Sequence, residues 1–196
     1  DVRRETVGRA MCEDDEIMLL DENDLPVKPG EVGEFCARGP YTLRGYFNAP
    51  EHNTRAFTKD GFYRSGDLMR QHKSGNYIVE GRKKDLINRG GEKISAEEVE
   101  NLILGSPKIK NVACVAMPDP VLGEKMCAFV ILKENEKLTL DELNTMLLQH
   151  EIAKFKLPER LEVVDMFPLS TFGKVSKKDL VAIVTKKLQQ DDDRGA

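Results

Sequence analysis

Three short stretches hold residue types able to act on a sugar or a phosphate. In Tyr63-Arg-Ser-Gly-Asp67 one carboxylate stands beside a glycine, an arrangement that can accept two hydrogen bonds from vicinal hydroxyls such as a ribose offers. The same residues also read as a turn in which Asp67 caps its own backbone. Gly81-Arg82 presents a guanidinium fork that donates to sugar or phosphate oxygens and does not titrate away. As plain surface chemistry, Arg82 and Lys83 would instead oppose Asp85. In the third stretch, Pro168-Leu-Ser-Thr-Phe-Gly-Lys174, a loop holds one lysine just before a helical pattern. It fails as a Walker A phosphate loop, because Val175 replaces the Ser/Thr and Pro168 occupies the first glycine position. Taken alone, Lys174 also reads as a solvated surface lysine.

The middle of the chain must position these groups. Gly81 to Glu100 combines a charged cluster, the pair Gly90-Gly91, and a helix start. Glycines there let the backbone turn sharply or approach a ligand closely. Ser95 and Glu98 fit a capping box, in which each side chain satisfies a backbone N–H at the helix start. Val99, Leu102 and Ile103 then give the helix a buried face, and Gly105 and Pro107 end it. Thr139 with Glu142 repeats the capping pattern ahead of Leu140, Leu143 and Leu147. Leu180, Val184 and Leu188 mark a last helix from about Ser176, and the run Asp191 to Asp193 is expected to fray.

Before this junction the pattern is β-rich. Ile17–Leu20, Glu34–Ala37 and Asn76–Glu80 are strand candidates separated by turn residues, with a helical insertion after Pro50. Short strands with frequent turns suggest a small barrel-like subdomain. Beyond the junction, Val112–Met117, Cys127–Leu132 and Leu161–Val164 alternate with the helices. They predict a compact α+β domain with a mostly antiparallel central sheet flanked by helices. The expected domains are 1–83 and 84–196, meeting at a hinge-like change of pattern near Gly81 to Asp85.

Composition narrows the function. A net charge of −4 over 196 residues argues against nucleic acid as the main partner. No stretch is long and apolar enough for a membrane span, and the charged start Asp1-Val-Arg-Arg-Glu-Thr argues against a signal peptide. Four cysteines (Cys12, Cys36, Cys114, Cys127) show no metal-ligand spacing, so zinc is not expected and a reduced, cytoplasmic protein is. The three histidines, His52, His72 and His150, are too scattered to suggest a catalytic triad.

Order and spacing together resemble the adenylate-forming enzymes, which include acyl- and aryl-CoA synthetases, peptide-synthetase adenylation domains and luciferase. The matching segments are Gly33-Glu-Phe-Cys-Ala-Arg-Gly-Pro40 with Gly45-Tyr46, Tyr63 to Asp67, Gly81 to Glu100, and Pro168 to Lys174. Asn88-Arg-Gly-Gly-Glu-Lys-Ile94, Gly8-Arg-Ala-Met11 with Asp14-Asp-Glu-Ile17, and Glu151 to Pro158 look most like the stand-alone aryl-acid branch. Within that branch the resemblance is to 2,3-dihydroxybenzoate–AMP ligases of siderophore biosynthesis.

The resemblance implies two half-reactions. ATP and an aryl acid give an acyl-adenylate and pyrophosphate, with Mg2+ in the parent enzyme; the phosphopantetheine thiol of an aryl carrier protein then takes the acyl group. It implies that Asp67 and Arg82 hold the ribose, with Tyr63 lining the nucleotide site. Lys174 would meet the substrate carboxylate and α-phosphate as the catalytic residue. Lys84 would be the hinge, and Gly90, Gly91 and Lys93 would form the pantetheine-facing thiolation surface. The family's Ser/Thr/Gly-rich phosphate loop and its aromatic-Gly-x-Thr-Glu segment are missing from this sequence. Both are expected upstream of Asp1, so residues 1–83 would end a large N-terminal domain, 84–196 would be its mobile C-terminal domain, and the isolated chain would be inactive. Two alternatives stay open: a piece of another acyl- or aryl-CoA ligase, and a non-catalytic module that docks a carrier protein.

Overall fold

Two neighbouring strands carry long apolar runs, Val112 to Met117 and Met126 to Leu132, and the second half of the molecule is built on them. In the computed structural model, which describes Val2 and residues 6–195 (of 192–195 the backbone only), the chain divides into two compact units, Asp1–Lys84 and Asp85–Ala196. The charged start read at Asp1 and Arg3 to Glu5 lies outside the described residues.

The first unit carries an antiparallel meander of four strands, β1 (Glu16–Leu20), β2 (Val32–Arg38), β3 (Tyr63–Gln71) and β4 (Tyr77–Arg82), in that spatial order. A short helix, α1 (Pro50–Ala56), begins at the expected proline. The sheet is open, which corrects the barrel-like expectation. Each outer edge is occupied by a local segment, so β1 and β4 do not meet. Val27 donates its N–H to Leu19 O at 2.9 Å on the β1 side, and Gly8 bridges to Tyr77 at β4. The unit's buried cluster is small, consisting of Leu20, Cys36 and Phe62 with Met18 packed against it.

The second unit begins with a hairpin, β5 (Leu86–Arg89) and β6 (Glu92–Ser95), which runs into α2 (Ala96–Leu104). Then come β7 (Ile109–Asp119), β8 (Gly123–Leu132), α3 (Leu140–Gln149), β9 (Arg160–Val163) and α4 (Lys177–Gly195). The sheet runs β6-β5-β8-β7, and β9 lies parallel to β8 while the other pairs are antiparallel. This is the α+β arrangement the periodicity predicts.

Strand alternation splits the core into two layers. Val112, Cys114, Met126, Ala128 and Val130 point to one face, where α2 and α3 add Val99, Ile103, Leu143 and Leu147. Ala113, Val115, Met117, Cys127 and Phe129 point to the other, under Leu180 and Val184 of α4. Both faces of β7 and β8 are therefore covered, which explains the unbroken apolar runs at their centres. Burying each of the Val, Ile, Leu, Met and Phe side chains among them contributes roughly 1.5–3 kcal/mol.

The helix starts follow their caps. Ser95 accepts the Glu98 N–H at 3.3 Å, and Glu98 itself receives Lys156 Nζ on both carboxylate oxygens at 2.7 Å. Thr139 and Glu142 form the complete reciprocal box. The expectation of a frayed tail at 191–193 is corrected, since α4 continues to Gly195. Asp191 accepts from Arg160 at 2.9 Å, which ties that turn to β9.

Candidate functional site

The first set of predicted residues converges on the end of β3 and β4. The stretch Tyr63 to Asp67 is a strand and not the turn its composition suggests. Glu34 pairs with Leu68 and Cys36 with Arg64, so Ser65-Gly66-Asp67 are three residues facing one, a bulge. Gly66 takes φ +75°, a conformation that costs a glycine little, and Asp67 donates its N–H to Ser65 Oγ at 3.0 Å. The bulge turns Asp67 toward β4, where Arg82 sits directly opposite and its Nε donates to Asp67 Oδ1 at 2.7 Å.

Sequence reasoning set Arg82 and Lys83 against Asp85, and the structure gives each of the three a different partner. Arg82 binds Asp67. Lys83 Nζ donates to Glu34 at 2.9 Å. Asp85 stands 3.8 Å from Lys177. Pairing across strands is invisible to a reading that weighs charges only by nearness along the chain. Glu34, overlooked in the sequence, is nearly buried and accepts from both Lys83 and Arg64.

Tyr63, Arg82 and Lys84 line a cleft of about 670 Å3 together with Glu34, Tyr46, His52 and Arg55. The Tyr63 and Tyr46 hydroxyls are 3.0 Å apart, and His52 packs edge-on against Tyr46 at 4.6 Å between ring centres. The hydrogen bond to Tyr46, together with partial burial, raises the Tyr63 phenol above its usual range. Lys84 is exposed and has no side-chain partner among the described residues. Arg82, held by an acid and bordering an open polar cleft, can present donors to a diol while Asp67 accepts from it.

Gly90, Gly91, Lys93 and Lys174 lie in the second unit. Arg89 pairs with Glu92, so Gly90-Gly91 is a two-residue hairpin turn, and both glycines have positive φ (59° and 98°). That is the type I′ geometry whose twist suits adjoining strands. A Gly-Gly dipeptide between two short β-prone runs was a hairpin signal in the sequence. The turn is pinned at its tip: Gly90 donates to Leu122 O at 2.8 Å and Gly91 to Asn88 Oδ1 at 3.1 Å. Asn88 donates its N–H to Glu124 at 2.7 Å, and Arg89 Nε donates to Glu159 at 2.8 Å. Lys93 is exposed on β6 opposite Asn88.

Leu122 is in turn set by Asp119, which accepts the N–H groups of Val121 at 3.0 Å and Leu122 at 2.8 Å. Lys125 Nζ lies 2.6 Å from the same carboxylate. The Lys125 ammonium and these backbone donors hold the Asp119 carboxyl down at about 2.

Lys174 tops a separate loop that makes its own hydrogen bonds. Ser170 donates its N–H to Lys174 O at 2.7 Å, Gly173 donates to Ser170 O at 2.9 Å, and Ser176 donates to Pro168 O at 2.8 Å. Gly173 has φ +76°. The Lys174 ammonium is exposed and meets no acid among the described residues, and the adjacent Phe172 is 91% exposed. The loop therefore offers one solvated cation on a fixed backbone.

Residues 98–174 match the family of the AMP-binding enzyme C-terminal domain. The chain is 56% identical over 187 residues to a salicylyl-CoA synthase / salicylate adenylyltransferase of Streptomyces sp, with 95% of this chain and 34% of that protein covered. It is 49% identical over 183 residues to the 2,3-dihydroxybenzoate-AMP ligase of Bacillus subtilis, covering 93% and 34% of the two chains. Among solved structures, ATP-bound MatB from Rhodopseudomonas palustris aligns with a TM-score of 0.83 at 28% identity, over 92% of this chain and 36% of that one. The chain thus spans about a third of the length of the curated relatives it matches.

Proposed function

We propose that this chain, whose residues 98–174 match the AMP-binding enzyme C-terminal domain, is part of an aryl acid–AMP ligase of siderophore biosynthesis, with 2,3-dihydroxybenzoate as its acid. A carboxylate oxygen of the acid attacks the α-phosphorus of ATP, and the bond to pyrophosphate breaks. The phosphopantetheine thiol of an aryl carrier protein, losing its proton, then attacks the acyl carbon and displaces AMP. Relatives active on salicylate and on 2,3-dihydroxybenzoate support the aryl class. Free cysteines with no disulfide among the described residues are compatible with the cytoplasm.

The observation that carries this reading is the Asp67–Arg82 pair at the edge of the cleft lined by Tyr63 and Lys84. Asp67 accepts from the ribose hydroxyls, and Arg82 both orients Asp67 and donates to the sugar. Lys174 offsets the repulsion between carboxylate and α-phosphate as charge develops. Lys84 is the pivot that exchanges the Lys174 loop for the Gly90-Gly91 turn and Lys93, where two missing side chains leave room for the pantetheine arm. No group of three or more His, Cys, Asp or Glu side chains placed to hold a metal stands among the described residues, and the Mg2+ that the resemblance implies would be held elsewhere in the parent enzyme.

Acid-dependent pyrophosphate exchange by the full-length enzyme tests the reading, run over 2,3-dihydroxybenzoate, salicylate, benzoate and a fatty acid. Preference for the fatty acid would overturn it. Preference for salicylate would establish the second reading, which the 56% identity to a salicylate-activating enzyme favours. The isolated chain is expected to show no exchange. Titration with an aryl carrier protein then tells a docking surface from an inert piece.

A further inference from the structure

Lys84 has a tied residue on each side. Lys83 Nζ donates at 2.9 Å to Glu34 Oε2, the same oxygen that accepts Arg64 Nη1 at 3.1 Å. The Glu34 side chain is only 6% exposed, and Asp24 holds Arg64 from its far side at 2.6 Å. A nearly buried carboxylate that loses a cation is strongly disfavoured, so Glu34 retains its grip on Lys83. One residue earlier, Arg82 is fixed to Asp67.

On the other side, Lys177 Nζ stands between Asp85 at 3.8 Å and Glu100 Oε1 at 2.8 Å. That Glu100 oxygen also accepts the Cys114 N–H of β7 at 2.7 Å. A lysine in the first turn of α4 opposes the helix dipole, and the two acids account for its place there. Side chains therefore anchor residues 82, 83 and 85 inside their own units, while Lys84 alone among these four is exposed with no side-chain partner among the described residues.

We propose that Glu34 is a positioning residue: through Lys83 it clamps the N-terminal flank of the connector, as Lys177 does the C-terminal flank through Asp85, so that backbone rotation is confined to Lys84. The functional half of this inference rests on the reading of Lys84 as the pivot between two half-reactions. A hinge of one residue gives two defined end states, whereas a slack connector samples many orientations and populates each less.

Two measurements separate the clamp from that reading. The first is 15N relaxation on the 196-residue chain for wild type, Lys83→Met and Lys83→Arg. Wild type should show reduced order at Lys84 only, with Lys83 and Asp85 near the rigid value of about 0.85. In Lys83→Met the Lys83 amide should fall below about 0.6, and Lys83→Arg should restore it. An unchanged order parameter in Lys83→Met overturns the clamp.

The second uses the full-length enzyme, with exchange and transfer from preformed adenylate measured separately. Lys83→Met should leave exchange within about twofold and slow transfer about fivefold to tenfold, the cost of diluting one competent orientation. Equal transfer rates overturn the functional role of the clamp while the ligase reading stands. No exchange by wild type overturns the ligase reading, and relaxation still decides the clamp. Glu34→Gln, should it fold, must lower the Lys83 order parameter as Lys83→Met does; a melting-temperature loss with relaxation unchanged overturns the clamp and leaves the ion pair as stabilising the unit only.

Discussion

Arg82 Nε lies 2.7 Å from Asp67 Oδ1, and the two residues face each other directly across β3 and β4. Arg82 is half exposed, so solvent screens the pair and its removal should cost less than about 1 kcal/mol of stability. Its functional cost should be larger. Asp67→Asn in the full-length enzyme is expected to raise the KM for ATP about tenfold, the scale of one charged hydrogen bond, while the melting temperature hardly moves. Steady-state exchange against ATP, paired with thermal denaturation, checks this; a large melting shift with unchanged KM would make the pair structural.

Lys174 belongs to a different class, because among the described residues no acid holds its ammonium. Lys174→Ala should leave the stability of the chain within about 0.5 kcal/mol, as for surface substitutions generally. Adenylation in the full-length enzyme should slow by about 10²–10³, the usual loss on removing one preorganised donor. Transfer from preformed adenylate should persist. If the two half-reactions fall together, Lys174 does not act in the first alone.

The two glycines of the β5–β6 turn should respond differently to substitution. Gly90, at φ +59°, is in the left-handed region that asparagine tolerates, and Asn-Gly is a favoured type I′ pair. A Cβ there meets only the tip of Leu122, at 3.0 Å, and that side chain can rotate. Gly90→Asn should thus stay within about 0.5 kcal/mol of wild type. Gly91, at φ +98°, has open space around it but a backbone that other residues avoid, so Gly91→Ala should cost about 1–3 kcal/mol. Urea denaturation of the chain with each variant decides between strain and crowding.

Asp119 gives the molecule an acid-side signature. Its carboxyl, lowered to about 2 from an ordinary 3.8, binds protons less readily in the folded state than in the unfolded one. Its contribution is therefore fully present above pH about 4 and is lost as pH falls through about 2. Asp119→Asn should flatten the change of melting temperature between those values. Since Asp119 sets Leu122, whose carbonyl receives the Gly90 N–H, the amide signal of Gly90 should also shift over the same range in wild type only.

Much of the second unit was legible in the sequence because its signals are local. The caps at Ser95 and Thr139, the stripe of Leu143 and Leu147, and the apolar runs of β7 and β8 each announce their element within a few residues. What escaped were features made by pairing at a distance. Tyr63 to Asp67 looked like a turn because Gly66 and Asp67 are turn residues, yet 30 residues away β2 supplies the partner that makes it a bulged strand. Glu34 drew no notice as one acid in an ordinary run, since its weight comes from the two cations that fold onto it. The hairpin of β5 and β6 escaped although Gly90-Gly91 marks its turn, because strands of four residues are too short to carry a period-two signal.

The shared wall of β7 and β8 has a mechanical consequence. With α2 and α3 packed on one side and α4 on the other, the strands have no soft layer on either face. Dense packing of this kind compresses little and passes strain onward. A twist applied at Asp85 should therefore reach the Lys174 loop and the Gly90-Gly91 turn together. Under the proposed pivot at Lys84, the unit should turn as one body, its two ends together.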